Sequence, residues 1–255
     1  MSSQSFERQP AIVTGAGQGI GYEIARQLAL NGASVLLNDI DERLASTAAQ
    51  RINEEGGNVF AMPGDASLHS FIQDMVNEAS SRFGKLAIAV ANAGITLFGD
   101  FFDFTPESFQ RVMQVNLAGT FFLAQTAAAQ MKKQGEGGSI LFTSSATGHQ
   151  AHKNLAAYAM TKAGIEMLAK NLVIELSKYH ININAIAPGA TLTERTRGDI
   201  EYEKTWSGLN PTGRASTAEE VAHAALFLLS PISRQITVQT LIIDGGWSSV
   251  SPSPF

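Results

Sequence analysis

In the run AAYAMTKAG a tyrosine, Tyr158, precedes a lysine, Lys162, by four residues. Four residues is about one helical turn, so both side chains leave the same helix face. A phenol is ordinarily a weak acid, with a pKa of about 10. An ammonium one turn away favours the phenolate, and a cationic hydride acceptor beside it would favour it further. A tyrosine so placed can take a proton from an alcohol, provided that a hydride acceptor is at hand.

A seat for that acceptor lies near the N-terminus, in TGAGQGIG. Gly15, Gly19 and Gly21 fall between a strand-like run, Ala11 to Val13, and a helical pattern that follows. Glycine permits the tight turn and lets the backbone approach a pyrophosphate, which then meets a helix N-terminus. The spacing is TGxxxGxG and not GxGxxG. Asp39 follows Gly21 by eighteen positions, at the end of the next strand-like run. A carboxylate there accepts hydrogen bonds from an adenosine ribose and repels a 2′-phosphate, so NAD is expected over NADP. The other role open to Asp39 is to cap the helix that begins near Asp41.

The rest of the chain alternates strand and helix patterns, and this order is what must position those residues. Helices are expected at about 19–31, 44–55, 68–79, 106–133, 156–179 and 217–229. Strands are expected at 34–37, 59–61, 86–91, 139–143, 181–186 and 240–243. Thr105 and Pro106 read as the N-cap and first position of the long helix. About seven strands alternating with helices predict one α/β domain, a Rossmann-type doubly wound parallel sheet spanning 1–255. A polar segment at about 190–213 reads as a substrate loop, and the tail from Ser248 to Phe255 as irregular.

The composition narrows the partners. A net charge of −5 without a long basic run argues against nucleic acid or an anionic membrane. No apolar stretch is long enough for a membrane span, and MSSQSFERQP lacks the apolar core of a signal peptide, so a cytoplasmic location is expected. There is no cysteine, which removes thiolate metal sites and a cysteine nucleophile. His149 and His152 are not a recognisable metal motif, and no metal is expected.

Taken together, these motifs resemble the classical branch of the short-chain dehydrogenase/reductase family. GDAS with Asp65, ANAG with Asn92 and Gly94, VNL with Asn116, FTSSATG with Ser145, YAMTK, and APGATLT with Pro188 and Thr193 recur in the family's order. The resemblance implies that Tyr158 is the general acid/base and that Lys162 binds the nicotinamide ribose. It implies that Ser145 bonds the substrate oxygen and that Asn116 holds a proton relay to Lys162. Ser144 is set aside, because the family's spacing selects Ser145. The cofactor set so implied is Gly15, Gln18, Gly19, Ile20, Gly21, Asp39, Ile40, Asp65, Ala66, Asn92, Gly94, Tyr158, Lys162, Pro188, Gly189, Thr191 and Thr193. Two departures stand out: Ala91 replaces the first asparagine of NNAG, and Val238 replaces the glycine of TGQ. A locally altered turn is expected at Val238.

Substrate contacts should come from loops at the strand ends. Besides Ser145 and Tyr158, His149, Gln150 and Trp206 are the candidates, and their polarity suggests a sugar, polyol or small hydroxy compound. A 3-oxoacyl, carbonyl or hydroxysteroid reductase is the alternative within enzymes; a non-catalytic nucleotide-binding regulator is the alternative outside them. The helices at 106–133 and 156–179 are apolar on more than one face, and the family commonly forms tetramers through them, so a homotetramer is expected.

Overall fold

The computed structural model describes residues 6–251. The first five residues and the last four, which hold part of the opening segment and of the tail read above, lie outside the described residues.

Seven strands form one parallel sheet: β1 (Ala11–Val13), β2 (Ser34–Leu37), β3 (Asn58–Ala61), β4 (Ile88–Ala91), β5 (Gly138–Thr143), β6 (Ile181–Pro188) and, last in the chain, β9 (Thr240–Ile243). Their spatial order is β3-β2-β1-β4-β5-β6-β9, with every neighbour parallel. The strand order reverses between β1 and β4, and such a switch point opens a crevice at the carboxyl ends of the strands.

Both faces are covered, which is why the strands read as unbroken apolar runs. Side chains alternate between the faces. Ala11, Val13, Val35, Leu37, Ile88 and Val90 pack with α1 (Gly19–Leu30), α2 (Glu42–Glu54) and α8 (Ala218–Leu229). Ile12, Leu36, Ala89, Ile140 and Phe142 pack with α3 (His69–Phe83), α5 (Gly119–Gln134) and α6 (Ala156–Leu176). Fully burying an aliphatic or phenyl side chain contributes about 1.5–3 kcal/mol.

Local signals set the helix ends. Thr105 caps α4 (Pro106–Val112), accepting from the Ser108 N–H. Thr217 and Glu220 make a reciprocal capping box on α8. Asp41, and not Asp39, caps α2, through the Leu44 N–H at 2.9 Å.

Three features depart from the sequence expectation. The helix expected at 106–133 is continuous but contains a π-helical segment, Met113–Ala118, between α4 and α5. The segment at 190–213 is not a plain loop: β7 (Thr191–Leu192) pairs with β8 (Ser216–Thr217), and α7 (Ile200–Leu209) is capped by Asp199. Its charged residues masked the helical pattern. The turn at Val238 lies in the left-handed region that glycine favours. Valine itself takes φ +62°, held by its N–H on the Ile183 carbonyl at 2.7 Å. For an L-residue that conformation costs about 1–2 kcal/mol.

Candidate active site

The glycine turn leaves β1 at the switch point. Gly15 and Gly19 have φ +61° and +64°. A Cβ on Gly15 would lie 2.8 Å from the Ala93 Cα, and one on Gly21 only 2.3 Å from the Asn92 Nδ2 and the Gly15 carbonyl. These positions therefore tolerate no side chain without displacing the opposite strand end. Thr14 and Asn92 tie the turn across the crevice: Asn92 Nδ2 donates to the Thr14 and Gly15 carbonyls at 3.0 and 2.9 Å. Asn92 Oδ1 accepts from Thr143 at 3.3 Å, so its amide braces the turn.

Asp39 sits where the second strand ends. Its Oδ2 accepts from Gly17 N at 2.9 Å and its Oδ1 from Asp41 N at 3.1 Å, leaving lone pairs on both oxygens. Asp65 accepts from Ser67 N at 2.9 Å and lies 3.7 Å from Arg111. Burial pushes its carboxyl up, but the Ser67 hydrogen bonds and Arg111 outweigh that and hold it below the usual carboxylate range.

The catalytic candidates converge at the ends of β4 and β5. Lys162, almost fully buried on α6, donates from Nζ to the Thr143 carbonyl at 2.8 Å, and its Nζ lies 5.4 Å from the Tyr158 ring centre. Ser145 follows β5 in extended conformation and its Oγ accepts from Thr147 N at 3.2 Å. Asn116 is wholly buried in the π-helical segment. Its Oδ1 accepts from Ile95 N at 2.8 Å, and its Nδ2 faces the Ile95 carbonyl at 3.0 Å and the Thr161 hydroxyl at 3.2 Å. A Cβ on Gly94 would lie 3.4 Å from both Asn116 Oδ1 and Lys162 Nζ, so the missing side chain is what brings those two groups to one place.

A cleft of about 400 Å³ is lined by every residue of the cofactor set read from the sequence, and also by Ser145. Asn116 lies behind its wall. His149, Gln150 and Trp206 do not line it. The Nε2 of His149 meets Glu166 at 2.9 Å instead. Trp206 belongs to a row of rings, Tyr202–Trp206–Trp247–His152–Phe98, with centres 5.4–6.4 Å apart. Tyr202 lines the cleft at one end of this row and accepts from Thr191 N at 3.2 Å; burial raises its phenol above the usual range.

Sequence reasoning missed Arg111 and Ile95, and it placed Tyr202 and Glu194 only within the segment 190–213; all four are in the cleft wall. Glu194 follows Thr193 directly, and its Oε2 accepts from Gly19 N at 2.8 Å. Among the described residues no cluster of His, Asp or Glu could hold a metal ion.

A glycine turn opening a helix N-terminus, an acidic residue at the second strand end and a lysine–tyrosine pair at the far end fit a nicotinamide dinucleotide. The comparisons agree. Residues 15–248 match the family model described as enoyl-(acyl carrier protein) reductase. L-rhamnose-1-dehydrogenase of Scheffersomyces stipitis is 38% identical over 246 residues, covering 92% of this chain and 93% of the relative. The chain belongs to the short-chain dehydrogenase/reductase family. A further family member, 7alpha-hydroxysteroid dehydrogenase of Escherichia coli, is 36% identical over 241 residues, 92% of each chain. Among solved structures of the family, a gluconate 5-dehydrogenase from Burkholderia cenocepacia, in complex with NADP and tartrate, superposes with a TM-score of 0.90. It is 34% identical and covers 98% of this chain and 100% of its own. The protein is accordingly a nicotinamide-nucleotide oxidoreductase acting on CH–OH groups.

Proposed function

We propose that the protein oxidises a secondary alcohol of a sugar, polyol or small hydroxy compound with NAD, using Tyr158 as the general base. The observation that carries this reading is the convergence of Tyr158, Lys162 and Ser145 in one cleft with the glycine turn. When bound, the nicotinamide would take the hydride from the carbinol carbon. The Ser145 hydroxyl holds the substrate oxygen, and the Tyr158 phenolate removes its proton. The Lys162 bond to Thr143 keeps its ammonium beside the Tyr158 ring. General-base help of this kind is typically worth about 10²–10⁴ in rate. Asn116 keeps the Ile95 backbone and the Thr161 hydroxyl in register with α6.

Asp39 supports NAD, because its carboxylate would face a 2′-phosphate with like charge. Sugar dehydrogenases among the relatives support the substrate class, and the ring row from Tyr202 to Phe98 offers faces on which a pyranose can stack. A second reading, a hydroxysteroid substrate, is favoured by the exposed Phe98, Phe101 and Phe102 and by the hydroxysteroid relative. The test is reduction of NAD and of NADP with L-rhamnose, gluconate and a 7α-hydroxysteroid, followed by absorbance. Turnover only on the steroid would replace the sugar reading by the second one.

A homotetramer is part of the proposal. An open apolar groove lined by Phe109, Met113, Leu117, Phe121, Phe122 and Leu168 runs along the helices expected to carry the interface. Leu123, by contrast, points inward and is buried.

A further inference from the structure

Three consecutive residues, the last of β5 and the two that follow it, each grip a different part of α6 or face the cleft. The Thr143 carbonyl takes the Lys162 ammonium. Ser145 faces the cleft. Between them Ser144, only 2% exposed, has its N–H on the Ile186 carbonyl at 2.7 Å and its Oγ turned to α6. That Oγ has two acceptors in reach, the Lys162 carbonyl at 3.1 Å and Glu166 Oε1 at 2.5 Å. A hydroxyl has a single hydrogen, and the shorter, charge-assisted bond takes it.

Glu166 stands one helical turn beyond Lys162, with its side chain 11% exposed. Among the described residues the basic group within 4 Å of it is His149, whose Nε2 lies 2.9 Å from the same Oε1. His149 closes the short turn Ala146–Gly148 that follows Ser145. Gly148 lies against α6: a Cβ there would be 3.2 Å from Ala163 N, 3.3 Å from Lys162 C and 3.4 Å from Glu166 Oε1. One carboxylate oxygen thus accepts from the Ser144 hydroxyl and lies 2.9 Å from the His149 ring nitrogen, so it meets groups on both sides of Ser145.

We propose that Glu166, clamped between Ser144 and His149, is a positioning residue that fixes the Ser145 hydroxyl relative to Tyr158 and Lys162. His149 then acts on the reaction through Glu166 and not as a substrate ligand. The inference rests on the acid/base reading of Tyr158 and Ser145. Since displacement of a reacting group by about 1 Å can cost on the order of 10²-fold in rate, loss of the clamp is expected to show in kcat.

The experiment compares Glu166→Ala, Glu166→Gln and His149→Ala with Tyr158→Phe, using the alcohol from the panel above that the wild-type enzyme oxidises. Glu166→Ala should lower kcat roughly 10- to 100-fold with the KM for cofactor unchanged. Glu166→Gln, whose amide oxygen can still accept from Ser144 and meet His149, should recover most of it. His149→Ala added to Glu166→Ala should cost little more. Hydrogen exchange gives a readout that needs no substrate and covers variants with weak activity. The amides of Gly148, His149 and Gln150 should exchange faster in Glu166→Ala and regain protection in Glu166→Gln, with the glycine turn unaffected. Wild-type kcat in Glu166→Ala, or unchanged exchange in the turn, would overturn the clamp while leaving the mechanism intact. Full activity in Tyr158→Phe would instead overturn the mechanism.

Discussion

Lys162 Nζ donates to the Thr143 carbonyl oxygen at 2.8 Å, inside the protein and not in solvent. A buried ammonium is costly unless it is hydrogen-bonded, and here the end of β5 supplies the acceptor. The same bond sets the height of the charge below the Tyr158 ring. The strand that leads into Ser145 therefore also fixes the lysine that faces the tyrosine.

Asp39 should decide the choice of cofactor. Wild-type protein is expected to favour NAD over NADP in kcat/KM. Asp39→Ala should shrink that preference by roughly 10-fold or more, since a like charge opposite a 2′-phosphate is costly. Some loss with both cofactors is expected too, because Asp39 braces Gly17. The ratio of the two kcat/KM values separates the effects.

Glu194 places a carboxylate on the Gly19 N–H, at the helix end where a pyrophosphate would dock. Glu194→Ala should tighten cofactor binding by roughly two- to five-fold, the equivalent of the 0.3–1 kcal/mol that a charge experiences at a helix terminus. Titration of reduced-cofactor fluorescence measures it directly.

Most of the frame was legible in the sequence, because unbroken apolar strands and glycine-ended helices report a sheet covered on both faces. The residues that line the cleft were legible because glycine, Asp39 and the Tyr158–Lys162 spacing each report close approach or charge. What stayed hidden depends on which atoms meet in space. Nothing in the run MQVNLA announces a π-helical segment, and α7 is disguised by its charges. Residue 238 is the instructive case. A valine argues against a left-handed turn, yet the surrounding hydrogen bonds, including its own N–H on Ile183, impose one.

Acid should weaken the capping box of α8. The Arg214 guanidinium beside Glu220, helped by the Thr217 N–H, lowers the Glu220 carboxyl from 4.5 to about 2. A carboxyl lowered on folding stabilises the folded state fully above its unfolded value of 4.5. That contribution is lost as pH falls through about 2. Glu220 is partly exposed, so the effect is modest and salt-sensitive. In urea titrations Glu220→Gln should reduce stability near neutrality by about 1 kcal/mol and flatten its fall in acid.

The groove along Phe109, Leu117 and Phe121 should be closed by a second copy of the chain. Light scattering at micromolar concentration is expected to give a tetramer, and Phe121→Asp a smaller species. A monomeric wild-type protein would remove the interface from the account.

The central claim is that Tyr158 moves the proton. Its most direct test is steady-state oxidation by Tyr158→Phe beside a measurement of cofactor binding. The account predicts cofactor affinity within about two-fold of wild type and a loss of kcat of about 10²-fold or more. Turnover at the wild-type rate with phenylalanine at position 158 would contradict it.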